Sequence, residues 1–322
     1  MRLEDIGFYT LCSKRCKHLS PTSPMWRCEI ILTDRCNFKC LYCRGLRDDC
    51  QGDMPLERAY EVLDQWFDQG LQNIRFSGGE PMVYPHLSEL VEYCSWNSVG
   101  HIAVSTNGSY PLKQYLDLID AGVNDISISL DACCASEGGL MAGTESKVWE
   151  KVVSNIRYLS KQTYVTVGVV ITEHNAPHLL DIVLFAHELG VADIRIITAA
   201  QYNQVLEGAK LIPEHVLQAH PILKYRVENI LAGRNVRGIK DADSPRCFLP
   251  LDDSVVCGDS HYPCVIYMRE GGESIGKIGP NMRAERLEWC KKHQPQCDPI
   301  CKANCLDVCI DHNNYCQYLE QP

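Results

Sequence analysis

Hydrophobic positions follow two alternating periods from residue 27 to about residue 231. Runs rich in apolar and β-branched residues, which predict buried strands, occur at 27–33, 73–77, 101–106, 125–131, 164–172 and 192–198. Between these runs, apolar residues recur every three or four positions, as on one face of an amphipathic helix. After the first strand, for example, Leu56, Leu63 and Trp66 share such a face. The pattern therefore predicts six strand–helix units in series.

Six parallel strands with helical crossovers favour an α/β sheet with neighbouring strands side by side. A closed barrel of this kind needs eight units, so we predict an open, partial (β/α)6 TIM-like barrel over residues 27–239. Residues 1–26 form a separate N-terminal segment. From residue 240 to 322 the pattern changes to short strands, Gly, Pro and Cys, which predicts a small cysteine-rich C-terminal extension.

Two local features refine this outline. Pro221 lies inside the last predicted helix of the barrel, which it should kink or split, because proline lacks the N–H that an interior helical position donates. In the extension, "CFLPLDDSVVCGDSHYPC" has the pattern of a hairpin with Gly258 at its turn.

Composition excludes several classes of protein. Hydrophobic residues make up 45% of the chain and charged residues 22%, which is ordinary for a globular protein. We find neither an apolar run long enough to span a bilayer nor a signal peptide, so we expect a cytoplasmic protein without a membrane partner. The formal charge of −10 argues against affinity based on neutralising phosphates, and a nucleic-acid partner is not expected.

Cysteine usage departs from the ordinary composition. Of the 19 cysteines, seven lie in the first 50 residues, nine lie after residue 246, and none lies between 135 and 246. The odd number, the empty stretch and the absence of an export signal argue against a disulfide framework and favour metal or cluster ligands. Two separate cysteine-using regions are therefore predicted. "CSKRC" (12–16) has the look of a further ligand pair, with solvent-facing thiols as an equal alternative.

The first region is "CNFKCLYC", here called the cysteine loop (36–43), directly after the first predicted strand. Three thiolates at this spacing can hold three irons of a [4Fe–4S] cluster and leave the fourth iron for an exogenous ligand. A zinc knuckle or scattered core thiols are the alternatives. Cys36-x3-Cys40-x2-Cys43, with Tyr42 before the third cysteine, resembles the signature of radical S-adenosylmethionine (SAM) enzymes.

The resemblance implies a cofactor site along the strand ends. In that family the methionine part of SAM binds the open iron, and an electron from the cluster cleaves SAM to a 5′-deoxyadenosyl radical that abstracts hydrogen from a substrate. "SGGEP" (77–81) matches the glycine-rich turn of the family, where glycines let backbone groups approach the methionine ammonium and Glu80 accepts from it. "STNG" (105–108) and "SLDA" (129–132) match family contacts to the ribose and carboxylate.

The residues that this resemblance assigns to cofactor binding are Tyr42, Gly78, Gly79, Glu80, Ser105, Asn107, Ser129, Asp131 and Arg195. For the polar residues taken singly, capping of a strand end is the alternative. Arg195 has a second alternative, an ion pair with a neighbouring acidic side chain. Asn175 is a weaker candidate. No catalytic acid or base is identified, and Cys133 and Cys134 are hydrogen-donor candidates only if they are not packed core thiols.

The second region resembles the SPASM and twitch extensions of radical SAM enzymes, which carry auxiliary [4Fe–4S] clusters. The family pattern separates later cysteines by two, five and three residues, whereas here every gap is three. A two-cluster arrangement would have an inner set and an outer set, with Cys290 left over. The inner set is Cys247, Cys257, Cys264 and Cys309, and the outer set is Cys297, Cys301, Cys305 and Cys316.

Other readings of the extension are one twitch-like cluster, zinc, or unliganded thiols. An auxiliary cluster would accept an electron from a substrate radical or relay electrons to the first cluster, and a structural cluster is the alternative role.

We therefore hypothesise a radical SAM enzyme acting on a small molecule or a peptide, with an electron donor such as flavodoxin or ferredoxin. About 26 residues precede the first strand, too few for a leader-peptide-binding domain, which favours a small molecule or a peptide delivered by another protein. The final "QYLEQP" differs from the glycine-rich tail of the molybdopterin cyclase. The alternative class is a non-catalytic iron–sulfur electron carrier or a zinc-stabilised binding protein.

Overall fold

The computed structural model describes residues 13–17, 19–43, 45–46, 48–204 and 206–320. Its strands are β1 Arg27–Thr33, β2 Asn73–Gly78, β3 His101–Thr106, β4 Asp125–Ser129, β5 Tyr164–Ile171, β6 Asp193–Thr198, β7 Asp253–Cys257, β8 Ser260–Tyr262 and β9 Gly276–Lys277. Its helices are α1 Ser13–Lys17, α2 Leu56–Asp68, α3 Leu87–Trp96, α4 Leu112–Ala121, α5 Ala135–Ala142, α6 Ser146–Leu159, α7 Leu179–Glu188, α8 Glu214–Ala219, α9 Pro221–Leu231, α10 Val265–Arg269, α11 Met282–Lys292, α12 Pro299–Asn304 and α13 Asp307–Glu320.

The predicted alternation of strands and helices is confirmed. Strands β1 to β6 occupy the six predicted positions, each followed by at least one helix. The last predicted helix is split, as α8 ends at Ala219 and α9 begins at Pro221. Helix α5, between β4 and α6, was not predicted. Its sequence, "ASEGGLMA", contains two glycines and lacks a clear apolar face, so periodicity did not detect it.

The nine strands form an open sheet in the order β6-β5-β4-β3-β2-β1-β7-β8-β9. β1 pairs in parallel with β2 and with β7, and β4 pairs in parallel with β3 and β5. β8 returns antiparallel to β7, with Gly258 between them, so the predicted hairpin is also confirmed. The sheet does not close, which confirms the α/β partial-barrel fold class.

The chain divides into two compact units. One unit comprises the residues up to Arg35, Leu46–Ile102 and those from Arg237 onward. The other comprises Cys36–Gly45 and Ala103–Val236. The first therefore contains β1, β2 and the whole cysteine-rich extension, and the division at residue 239 proposed from the sequence remains a prediction. Within the described ranges, no helix combines the length and the apolar character needed to cross a membrane.

Buried ion pairs join α1 and β1 to the start of β7. Arg27 Nε donates to Asp253 Oδ1 at 3.1 Å, and Arg27 Nη2 lies 2.7 Å from Asp253 Oδ2. Arg15 Nε, in α1, donates to Asp252 Oδ2 at 2.6 Å. Burial, the largest single effect, lowers the pKa of Arg27, but the charges of Asp253 and Glu29 and the hydrogen bond to Asp253 together outweigh it, so that the pKa is raised. The Arg27 charge is thus matched inside the protein, where an unpaired charge is costly.

We predict that Asp253→Asn lowers the free energy of unfolding by about 3–5 kcal/mol, because it leaves the buried Arg27 guanidinium without its counter-charge. Urea denaturation measures the change. Asp117→Asn is the matched control: Asp117 pairs with Lys113 at 2.8 Å on the exposed surface of α4 and should cost less than about 0.5 kcal/mol. A loss for Asp253→Asn no larger than the control would contradict the prediction.

Candidate metal centre and cofactor site

The cysteine loop is held in place by the end of α5. The N–H groups of Lys39 and Leu41 donate to the carbonyls of Ala142 and Met141 at 2.9 and 3.1 Å. Gly143 ends the helix at φ +62°, and a Cβ there would lie 2.5 Å from the Lys39 carbonyl oxygen. The helix that periodicity missed therefore fixes the backbone of the loop.

The three thiols of the loop differ in exposure. Cys36 and Cys43 are exposed, whereas Cys40 is half-buried. Burial raises the pKa of Cys40 to about 12, with further contributions from Asp131, Cys43 and Cys36. Because the Cys40 thiol is then protonated at neutral pH, metal loading must displace its proton.

The spread of the loop thiols bears on what they can hold. A zinc ion lies about 2.3 Å from each thiolate, so its ligand atoms must all lie within about 4.6 Å of one another. Among the described residues, the sulfur atoms of Cys36, Cys40 and Cys43 do not all lie within 4.8 Å of one another. In this conformation the three loop thiols are not gathered around a single point.

Tyr42 and Asp131, both predicted site residues, are in contact. Tyr42 O–H donates to Asp131 Oδ2 at 2.7 Å, and the Val170 N–H donates to Oδ1 at 2.7 Å. Burial raises the pKa of Asp131 to about 6, although both hydrogen bonds oppose the shift. Asn175 Nδ2 donates to the carbonyls of Asp131 and Val170 at 3.0 and 2.9 Å, so this weaker candidate supports the turn beneath Asp131.

Asn107 lies beside the first cysteine. Its Nδ2 donates to Asn37 Oδ1 at 2.8 Å and is 4.0 Å from Cys36 Sγ. Asn37 Nδ2 in turn donates to Ser109 Oγ at 2.9 Å. Sequence reasoning did not select Asn37 or Ser109, although Asn37 stands inside the cysteine motif and Ser109 directly follows "STNG". That adjacency was the available signal.

The remaining predicted residues of this unit lie along the strands. Ser105 is half-buried in β3, opposite Ser127 of β4, and Ser129 is exposed at the end of β4. Arg195, in β6, donates to Ser127 Oγ. Gly168 of β5 pairs with Arg195 in the sheet, and it has no side chain that would block the contact between Arg195 and Ser127. Ser105 and Arg195 thus both lie next to Ser127.

In the other unit, the glycine turn packs against the end of β1. The N–H groups of Gly79 and Glu80 donate to the carbonyls of Thr33 and Arg35 at 2.7 and 2.8 Å. A Cβ on Gly78, which has φ +143°, would lie 2.4 Å from the Thr33 oxygen, and one on Gly79 would lie 2.3 Å from the Arg35 oxygen. The backbone that leads into Cys36 therefore passes too close to the turn for a side chain at either position. This is a second reason for glycine here, beside the predicted cofactor access.

The Glu80 side chain is fully buried. Its Oε1 accepts from the Met82 N–H at 3.1 Å and so caps the 3-10 turn Pro81–Val83. Its role as acceptor for the methionine ammonium remains a prediction.

In the extension, five thiols line one cavity, together with apolar side chains that include Ile266 and Trp289. The five are Cys247, Cys264, Cys301, Cys305 and Cys309. Burial raises the pKa of Cys264 to about 12 and raises that of Cys247 well above the ordinary value of a thiol. The pKa of Cys309 is instead lowered, chiefly by its hydrogen bond with Cys305. The cavity therefore gathers soft sulfur donors away from water.

Three other predicted ligands are not among the residues that line this cavity, and the two four-cysteine sets proposed from spacing remain predictions. Cys257 is disulfide-bonded to Cys50 and packs in one buried cluster with Ile31 and Val255. Cys297 is exposed, with its thiol 3.5 Å from Gln294 Oε1.

Cys316 groups with Cys16 and His312. Cys12, the other half of the "CSKRC" pair, lies outside the described residues.

Comparison with known proteins agrees with this arrangement. The family model described as "Radical SAM superfamily" matches residues 30–186. GTP 3′,8-cyclase of Nautilia profundicola is 28% identical over 215 residues, which cover 63% of this chain and 65% of that protein. The match thus spans less than two thirds of the relative's length.

Solved structures share the fold. Streptococcus suis SuiB bound to its precursor peptide SuiA gives a TM-score of 0.59 at 14% identity, covering 83% of this chain and 65% of SuiB. The protein anSMEcpe with bound AdoMet gives 0.59 at 16% identity, covering 91% of this chain and 96% of that one. Residues 30–186 of this chain are therefore similar to radical SAM enzymes. This similarity favours an enzyme over the non-catalytic carrier.

We predict that Gly79→Ala lowers the free energy of unfolding by about 1–3 kcal/mol, since the new methyl group meets the Arg35 carbonyl. Urea denaturation again gives the value. Gly279→Ala is the matched control, because a Cβ there meets no atom within 4 Å. Equal transition midpoints for the two variants would show that the backbone of the turn does not need the close approach.

Proposed function

We propose that the chain cleaves SAM reductively at a [4Fe–4S] cluster bound by Cys36, Cys40 and Cys43. The observation that carries this proposal is the cysteine loop itself: three cysteines with Cys-x3-Cys-x2-Cys spacing, within the segment that matches the radical SAM family model. Bound there, the cluster would supply the electron that converts SAM to a 5′-deoxyadenosyl radical, which abstracts hydrogen from a substrate.

The protein side chains hold and orient the cofactor. We assign Asn107 a position beside Cys36, where its amide can hydrogen-bond the cofactor or the cluster sulfur. Asp131 fixes Tyr42, and through it the turn between the second and third cysteines. Gly78, Gly79 and Glu80 are assigned to the methionine end of SAM, and the remaining predicted contacts are Ser105, Ser129 and Arg195.

We further propose one auxiliary [4Fe–4S] cluster, of the twitch type, in the cavity of the extension. Cys247 and Cys264 flank the β7–β8 hairpin in the sequence, and both line the cavity. Cys301 lines it from α12, Cys309 from α13, and Cys305 from the short linker between these helices. These five sulfur donors suit the four thiolates that such a cluster needs. The apolar lining would keep water from the cluster and shift its reduction potential.

The substrate is proposed at the level of class. SuiB was solved with a precursor peptide and the curated relative is named for GTP, so both a peptide and a small molecule have a counterpart among similar proteins. An oxidoreductase-type modification would use the auxiliary cluster as electron acceptor or relay. A flavodoxin or ferredoxin would reduce the first cluster, and the many free thiols suit the reducing cytoplasm.

The first test removes the three thiols of the loop together. We expect the triple variant Cys36→Ala, Cys40→Ala, Cys43→Ala, reconstituted anaerobically, to lose about four irons per chain and all 5′-deoxyadenosine formation with dithionite and SAM. Cys94→Ala is the control, a buried thiol of α3 outside both cysteine regions, and should retain both. Product formation that survives the triple substitution would sink the proposal.

The second test concerns the extension. The double variant Cys247→Ala, Cys264→Ala should lose about four irons per chain while the protein still binds SAM, because only three thiols remain in the cavity and the loop keeps its own. Iron analysis and equilibrium binding of SAM measure the two effects. Cys297→Ala, which replaces an exposed thiol outside the cavity, should change neither. Full iron content in the double variant, or loss in Cys297→Ala, would exclude this ligand set.

A further inference from the structure

Three buried side chains meet where the N-terminal helix α1 contacts the C-terminal helix α13. His312 and Cys316 are four residues apart in α13 and so lie on one face of it. His312 Nδ1 is 3.1 Å from Cys16 Sγ of α1, and His312 Nε2 is 3.7 Å from Cys316 Sγ. All three ligand atoms fit within 4.8 Å of one another.

The surroundings of these groups are apolar. Cys16 is 7% exposed, His312 2% and Cys316 3%. The two thiols pack in a cluster with Phe248, Leu251 and Cys290, flanked by Leu19 and Leu287. Buried thiols are common in protein cores, but here two thiols and an imidazole bring three metal-ligating atoms to one point, with His312 in contact with both sulfurs. A ligand that uses all three polar atoms explains their convergence.

We propose that Cys16, His312 and Cys316 bind one Zn²⁺ ion, at a site separate from both cysteine regions assigned to clusters. Two thiolates and one imidazole are preferred zinc ligands, and a water molecule or one further group completes a tetrahedral set. The tight grouping matches one ion, in contrast to the wider spread of the cysteine loop. On binding, the ion displaces the protons of the two thiols to solvent.

The position of the site indicates a structural role. Cys16 and His312 are 296 positions apart in the sequence, so the ion would join α1 to α13, two helices that are distant along the chain. A cross-link that closes so long a loop removes conformational freedom from the unfolded chain, as a disulfide does. The inference does not depend on the proposed radical chemistry.

The experiment uses the full chain, loaded with iron and sulfide before zinc is added, so that the cluster thiols are already occupied. After dialysis against zinc and then zinc-free buffer, metal analysis should find about one zinc per chain. Cys16→Ser, His312→Gln and Cys316→Ser should each lose that zinc and leave the iron content unchanged. Cys290→Ser is the matched control, a buried thiol of the same apolar cluster, and should keep the zinc.

A second measurement avoids substitutions altogether. Cobalt added in place of zinc to the unaltered protein should give the intense visible bands of a tetrahedral thiolate-bound ion, and zinc should abolish them. Absence of these bands, or zinc that stays in all three variants, would overturn the site. Loss of about four irons in Cys316→Ser would also overturn it, because Cys316 would then be a cluster ligand.

Discussion

The structure depends on the burial of β1 between β2 and β7. Every residue of this strand is buried, and its backbone pairs with a neighbour on both sides. The Arg27 side chain is buried with the strand, and Asp253 supplies the opposite charge that a buried guanidinium needs. The ion pair thereby joins a strand near the start of the chain to the first strand of the extension. The cysteine loop begins three residues beyond the end of β1.

Distances between ligand atoms distinguish the two kinds of metal site that we propose for this chain. A single ion draws its ligands into a few ångströms, whereas a cluster spreads them over several metal atoms. Cys16, His312 and Cys316 satisfy the first condition, and the thiols of the cysteine loop do not. The same side-chain chemistry can therefore serve an ion in one place and a cluster in another, and the backbone around the thiols determines which.

The glycine turn illustrates how one short motif meets two demands. The sequence analysis predicts Gly78 and Gly79 as site residues because a cofactor needs access to the backbone there. The structure shows a second constraint, the close approach of the Thr33 and Arg35 carbonyls. The loop that carries the cysteines would start from a different position if either glycine bore a side chain. Close packing thus accounts for both glycines, and the cofactor access predicted from the sequence would favour the same residue type.

The sequence by itself determined the six strand–helix units, the split at Pro221, the β7–β8 hairpin and the three-cysteine motif. These depend on periodicity and spacing within a few residues, which are local properties. Only the tertiary structure decided which distant thiols meet, separating Cys257 and Cys316 from the cavity and bringing His312 to Cys16. Spacing along a chain carries no information on contacts between residues hundreds of positions apart, because those contacts depend on how whole strands and helices pack.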